Sequence, residues 1–383
     1  MKQPINWTVL VRIVIKTGSL FVTLNILWAV VQPMQWLDKV SVYNRLVPGR
    51  LRFGYGVQTD PKAVSAILLD EMFADHELSG SLSENMATEY RIGIFGASGI
   101  WGYGLNTDQM ISAYINKGNW TLPDGRRIRA FNLALPGQSI PKDLLIMQRA
   151  IHYKLDAVYW FIDSISMLRP RQIISSPIVS TNPADFYNLL NHYPIDLPDA
   201  EKPTRSPNFL DQTIIGQRAQ IATWLQDQLF GITWLQSLQD FTPFVNVHIY
   251  QGVTHFFSTG DVSWAGKSYN QSNFDKNIFM WDALEAGNQM AHDNHTELTI
   301  IVGPMWGASL TDANISYYPR WFLTDFLTWF NEEKQVYHWT TLDWRDAVPN
   351  SMFTDTAFHF TAEGSQIVAN RLVNSLLLPS QTF

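Results

Sequence analysis

Five short stretches of the chain are predominantly apolar: Arg91 to Phe95, Ile128 to Leu133, Ala157 to Ile162, Leu298 to Val302 and Val336 to Leu342. Runs of this length, rich in branched and aromatic residues, predict strands buried on both faces. TDQMISAYINKG, at 107–118, and IPKDLLIMQRAIHYKL, at 140–155, carry apolar residues at helical spacing between and after the first two runs. This alternation predicts an α/β fold, a three-layer α/β/α domain with a mainly parallel five-stranded sheet. Between the third and fourth runs lies a long segment that predicts a helical insertion at about 171–295. It opens with the Pro/Ser-rich RPRQIISSPIVSTNP and holds a helical pattern from Gln217 to Leu238. Within it, residues 223–241 are amphipathic and carry Asp227 and Asp240, the pattern of a helix packed on the domain. Insertions of this length usually form a cap, lid or partner surface.

A different pattern occupies the amino terminus. Thr17 to Leu37 contains no charged residue, and its twenty-one residues would span roughly 30 Å at ~1.5 Å each, the thickness of a hydrocarbon core. Trp7, Trp28 and Trp36 fit interfacial belts. Lys2, Arg12 and Lys16 precede the run, but Lys39, Arg45, Arg50 and Arg52 follow it, so charge alone leaves orientation open. A cleaved signal peptide and a buried soluble helix are rival readings, though WAVVQPMQW offers no small-x-small cleavage site. The chain thus divides into a cytoplasmic stub with a transmembrane anchor (1–37), a Pro/Gly/Arg-rich juxtamembrane connector (38–60) and an α/β domain (61–383).

Composition narrows the function. A net charge of −7 with no basic stripe argues against nucleic-acid binding. The chain has no cysteine, which removes disulfides, thiolate metal sites and cysteine nucleophiles. The 15 tryptophans and 22 phenylalanines are read as core and membrane-interface packing, with a carbohydrate-stacking surface as the minority reading. His248 and His255, and the pair in HDNHTE (His292, His295), are read as loop residues, so neither a metal nor a cofactor is expected.

The chemistry concentrates in two stretches. IGIFGASGIWGYGL, at 92–105, ends a strand in glycines around Ser98 and exposes a hydroxyl at the carboxyl edge of the sheet, where open α/β folds bind ligands. FTDTAFHFTAEG, at 353–364, places Asp355 and His359 close together. A nucleophile, a general base and an orienting carboxylate are the parts of a serine acyl-transfer site. Each residue also has a plain reading: Gly-Ala-Ser-Gly as a turn or phosphate loop, Asp355 as a turn former, His359 as a cap on the last helix. Ser98 is not in a G-x-S-x-G elbow, because Ile100 stands at the last glycine. WGYGL holds only part of a dinucleotide fingerprint.

On these residues the chain resembles the SGNH, or GDSL, hydrolases, a three-layer α/β/α family of esterases and acyl-group enzymes with a flavodoxin-like sheet. FGAS, ending at Ser98, is similar to the family's first block with Ala97 in place of its aspartate. NLALPGQS places Gly137 where the second block has its glycine, and DTAFHFTAEG resembles the last block through Asp355, His359 and Gly364. The resemblance covers roughly 90–170 and 296–380. It implies Ser98 as nucleophile, His359 as base, Asp355 as its partner, and the N–H groups of Ser98 and Gly137 as oxyanion donors. Two features depart from the family. VYWFIDSISML has no block-three asparagine, Asp163 or Ser164 standing in its place, and Thr356 rather than Asp355 lies three residues before His359. Asp343 and Asp346 are weaker substitutes for Asp355.

The resemblance implies an O-acyl esterase or acyltransferase, membrane-bound through the amino-terminal helix, with its domain outside the cytoplasmic membrane. Its expected substrate is an acylated cell-envelope glycan or another ester, and envelope polysaccharide assembly components are expected partners. The alternative is a catalytically silent glycan-binding or assembly scaffold on the same fold.

Overall fold

In the computed structural model, which describes residues 7–41, 44, 49–55, 68–80, 87–169, 177–197, 208–237, 262–264, 267–308 and 318–378, the strand β1 (Glu89–Phe95) is buried along its whole length. Four further strands flank it: β2 (Arg127–Asn132), β3 (Ala157–Ile162), β4 (Glu297–Val302) and β5 (Thr341–Asp343). They pair in the order β2-β1-β3-β4-β5, all parallel. Parallel pairing needs helical crossovers, and the helices lie on both faces. One face carries α5 (Ile140–Ala150) and α8 (Trp281–Asp293); the other carries α4 (Ile111–Lys117) and α10 (Ala362–Leu377). Gly287 of α8 lets that helix approach so closely that a Cβ would stand 2.6 Å from the ring of Trp160 on β3. This is the three-layer α/β/α architecture anticipated from the apolar runs, and its strand order reverses between β1 and β3. Ligand crevices of open parallel sheets form at that reversal, outside the carboxyl ends of the strands.

Two predicted boundaries are corrected. The run Val336 to Leu342 is strand only from Thr341; Val336 and Tyr337 close the helix α9 (Arg320–Tyr337), which stops where His338 turns left-handed at φ +58°. Apolar content could not separate a helix's last turn from a strand's first residues. The apolar span begins earlier and ends earlier than Thr17 to Leu37: α1 runs Trp7–Val31 and includes Arg12 and Lys16. It breaks where Gln32 adopts φ +47° ahead of Pro33. This helix is long and apolar enough to cross a membrane, a property that signal sequences share. The segments 1–6, 42–43, 45–48 and 56–60, the Pro/Ser-rich residues 170–176, and His248 and His255 lie outside the described residues.

Inside the predicted insertion stand α6 (Pro183–His192), α7 (Arg218–Ser237) and a two-stranded antiparallel hairpin, Val262–Trp264 with Lys267–Tyr269. The base of α7 meets α2 (Leu69–Asp75) through buried carboxyls. Glu71 and Asp227 are each 2% exposed, with Asp75 and Asp38 buried nearby. Desolvation, then the adjacent negative charges, raises Glu71 far above the usual carboxylate range; burial and Asp75 raise Asp227 against its hydrogen bond with Glu71 and the charge of Arg50. Glu71 therefore stays protonated in the folded chain but ionises in the unfolded one, so its contribution to stability falls as pH rises above the ordinary carboxylate value. Glu71→Gln keeps the shape and removes the titration. Its melting temperature relative to the native chain should climb between about pH 5.5 and about pH 8.5, by at most ~1.4 kcal/mol of stability per pH unit. A difference that does not change with pH would contradict a protonated Glu71.

Candidate functional site

β1 ends at Phe95, and the chain turns through Gly96 and an extended Ala97 into a single helical turn, α3 (Ser98–Trp101). Gly102, at φ +89°, ends it with its N–H bonded to the Ser98 carbonyl. Ser98 thus occupies the first position of α3 at the carboxyl end of β1, where its N–H has no acceptor inside the helix. The turn rests on buried polar side chains from distant segments. Arg52, wholly buried, donates to the carbonyls of Gly102 and Leu105 at 2.9 and 3.1 Å, with its guanidinium 4.1 Å over the Trp101 ring. Trp101 donates its indole N–H to the Phe53 carbonyl at 2.9 Å. Two connector residues, Arg52 and Phe53, are therefore built into the floor of the turn. Asn132, at the end of β2, donates to the carbonyls of Ile100 and Trp101, and its own carbonyl accepts from His76 Nε2 at 3.1 Å. Burial holds His76 neutral, its pKa pushed down to about 3, and its Nδ1 accepts the N–H of Leu78.

The second half of the site is the loop before α10. Phe353 and Phe360 pair across its base, and the Thr354 N–H donates to the His359 carbonyl at 2.9 Å. Inside that closed loop, the Thr356 hydroxyl accepts from the N–H groups of Phe358 and His359, both at 3.2 Å. This side-chain turn absorbs the extra residue between Asp355 and His359. Their side chains meet, Asp355 Oδ1 lying 2.8 Å from His359 Nδ1, while His359 Nε2 lies 2.7 Å from Ser98 Oγ. With Nδ1 protonated, the imidazole donates to Asp355 and accepts from the Ser98 hydroxyl. Thr354 adds a hydroxyl donor to Asp355 Oδ1 at 3.0 Å. Partial burial pushes the Asp355 carboxyl up, but the hydrogen bond and charge of His359, with the Thr354 and backbone donors, outweigh it and leave it below its ordinary value.

The two halves fit because Gly99 has no side chain. A Cβ there would stand 2.0 Å from the carbonyl oxygen of Phe358, the residue before His359. Over the imidazole lies Tyr103, its ring centroid 4.6 Å away and nearly parallel.

Gly137 stands on the neighbouring loop, after β2, with φ +107° and an open space where a Cβ would be. That loop is pinned to the Ser98 turn by Lys142, which is entirely buried. Its Nζ donates to the carbonyls of Gly96 and Leu135 and pairs with Asp143 at 2.9 Å. Leu135 N–H also donates to the Gly96 carbonyl at 3.1 Å. Asp163, in the place of the family's asparagine, is a turn cap: its Oδ1 accepts the N–H groups of Ile165 and Ser166, both at 2.8 Å. Ser164 is buried beside it. A narrow pocket at the β1–β3 reversal is lined by Ala97, Gly99, Asp163, Gly303, Pro304 and Phe358, among others. No group of His, Asp and Glu among the described residues has the arrangement to hold a metal ion.

The arrangement can move a proton from the Ser98 hydroxyl to His359, balanced by Asp355. No protein-family model and no curated protein matches the chain. Solved structures that match include TesA, at 10% identity and a TM-score of 0.37, covering 75% of this chain and 99% of that one. A putative acylhydrolase from Bacteroides fragilis NCTC 9343 matches at 10% identity and 0.37, covering 78% and 94%. A carbohydrate acetylesterase family member from Sinorhizobium meliloti matches at 10% and 0.31, covering 75% and 98%.

Sequence reading brought out Ser98, His359, Asp355 and Gly137 but missed Tyr103, Thr354, Thr356 and Lys142. Only Thr356 carried a local signal, as a hydroxyl between the aspartate and the histidine. Gly99→Ala forces the Phe358 loop away from Ser98. Overpacking of this kind costs about 1–3 kcal/mol, and the Ser98–His359 hydrogen bond should be lost with it, read as a lowered melting temperature together with loss of any serine reactivity. Lys142→Met leaves Asp143 buried without its counterion and should destabilise the fold by about 3–5 kcal/mol, measurable by denaturant unfolding; a change below about 1 kcal/mol would refute the clamp.

Proposed function

We propose that the chain is a serine acyl hydrolase of the SGNH type. The single observation that carries the reading is the hydrogen-bonded series Asp355–His359–Ser98, with links of 2.8 and 2.7 Å at the carboxyl edge of a parallel sheet. Ser98 Oγ attacks an acyl carbonyl while His359 Nε2 takes its proton. Asp355 holds the imidazole tautomer and balances the cation that forms. The N–H groups of Ser98 and Gly137 face the developing oxyanion, a role in which each donor is worth roughly 10²–10³ in rate. His359 then returns the proton to the leaving alcohol, and a water or a second hydroxyl takes the acyl group from Ser98. Hydrolysis and transfer share every residue up to that point. The site differs from its family template in one donor: Asp163 accepts hydrogen bonds and supplies none to an oxyanion.

The amino-terminal helix sets the location in this reading. α1 exposes apolar side chains around its circumference, Val14 and Val30 at 63% and 70%, and a bilayer is the solvent in which that surface is stable. The chain then works as a single-pass membrane protein with its α/β domain outside the cytoplasmic membrane. An acylated cell-envelope glycan is the substrate class implied by the sequence resemblance, and its assembly components are the implied partners. The formed hydrogen-bond series favours catalysis over the silent scaffold.

Arg52 and Phe53 belong to the floor of the nucleophile turn, so the test uses the full chain in detergent or nanodiscs. With an aryl acetate as substrate, Ser98→Ala and His359→Ala should each lower kcat by on the order of 10⁴–10⁶-fold. Asp355→Asn should lower it by up to ~10⁴-fold through the wrong imidazole tautomer. Turnover unchanged in Ser98→Ala would rule the mechanism out. With an O-acetylated glycan, acetate in solution marks an esterase, and acetyl on an added sugar acceptor marks a transferase.

A further inference from the structure

We infer that the insertion makes a second contact with the bilayer, through the turn Phe209–Gln212 and the residues up to Ile215, which enter the same interface as the carboxyl end of α1. The inference rests on the proposal that α1 spans a membrane, and adds that the α/β domain is docked on that membrane rather than tethered to it.

The position follows from polar contacts along α1. Trp28 donates its indole N–H to Gln217 Oε1 at 2.8 Å, and the Ile215 N–H donates to Asn25 Oδ1 at 3.3 Å. Just past the helix, Gln220 donates to Asp38 Oδ2 at 3.2 Å. The turn Phe209–Gln212 itself packs on α1. These contacts join segments more than 180 residues apart and lay the start of α7 alongside the end of α1.

The depth follows from helix geometry. Trp28 stands in the last turn of α1, the place of an interfacial tryptophan, and the uncharged stretch from Thr17 leads inward from it, leaving Lys16 and Arg12 to reach toward the opposite interface. Asn25 lies three residues, about 4.5 Å, inward of Trp28. It is a polar residue in an apolar stretch, only 7% exposed, and the Ile215 N–H is what satisfies its side-chain oxygen. The loop therefore reaches inside the tryptophan level.

What the loop presents there is apolar. Phe209, Leu210 and Ile215 are 52%, 69% and 51% exposed, and three large apolar side chains on one short loop make a surface that water disfavours. The polar groups of the loop bond within it. Asn208 and Asp211 bond each other's N–H groups, the Thr213 hydroxyl donates to the Leu210 carbonyl, and Arg218 donates to the Ile215 carbonyl. Asp211 and Arg218 set the depth at the boundary of headgroups and acyl chains, where amphipathic elements typically sink ~5–10 Å.

The chain has no cysteine, so single labels read one position each. Leu210→Cys, Val14→Cys and Asp124→Cys, each carrying an environment-sensitive fluorophore, would be reconstituted as the full chain in vesicles of phosphatidylcholine with brominated acyl chains. The expected result is quenching at 14 and 210 and none at 124, which lies on the turn before β2. Quenching at 14 alone overturns the docking and leaves the anchor standing. No quenching at any position overturns the anchor, and the docking with it. A label at 210 that is shielded from water yet unquenched marks a protein contact, such as a second copy of the chain, and also overturns the lipid assignment.

Discussion

The backbone of Gly99 lies where no side chain could stand, against the carbonyl of Phe358, and the candidate site exists because of that contact. Ser98 follows the first strand; His359 precedes the last helix, 261 residues later. Each is held rigidly to its own backbone, Ser98 by a one-turn helix and His359 by a loop closed on itself. A hydrogen bond of 2.7 Å between them leaves little tolerance in the distance between those backbones. One methyl group at position 99 exceeds it.

Around this contact the fold spends buried polar groups, which stay buried only when their partners are in place. Lys142 ties the loops after β1 and β2 through their carbonyls, with Asp143 as counterion. Burial pushes the Asp143 carboxyl up, and Lys142 and the Trp160 indole oppose that. Asn132 and Arg52 do the same for the carbonyls around α3. Interactions of this kind fix position more than they add stability, since an apolar replacement of the whole group can be as stable. Their common target, the carbonyls around one serine turn, is where position matters.

The same logic joins the domain to its apolar amino-terminal helix. Arg52 and Phe53 sit beneath the Ser98 turn, while the start of α7 and the residue before it bond Asp38 and α1. α7 also shares the carboxyl cluster around Glu71 with α2, which packs on α5. A continuous path of packed and hydrogen-bonded groups thus runs from the apolar helix to the serine, and the orientation of that helix becomes a property of the folded domain.

Sequence by itself determined the layers, the strands β1 to β4, the apolar amino-terminal helix, and the serine, histidine and aspartate. Strand runs, helical spacing and turn residues act over a few neighbours, so their signals are local. It could not determine where α9 gives way to β5, because Val336 and Tyr337 suit either element and only packing chooses. Nor could it decide whether Asp355, four residues from His359 rather than three, reaches the imidazole; the Thr356 hydroxyl settles that by curling the loop. Tyr103 over His359, and Lys142 under two loops, come from segments that meet only once the strands take the order β2-β1-β3-β4-β5. Tertiary structure decided these because each depends on the distance between backbones far apart in the chain, and no local pattern encodes such a distance.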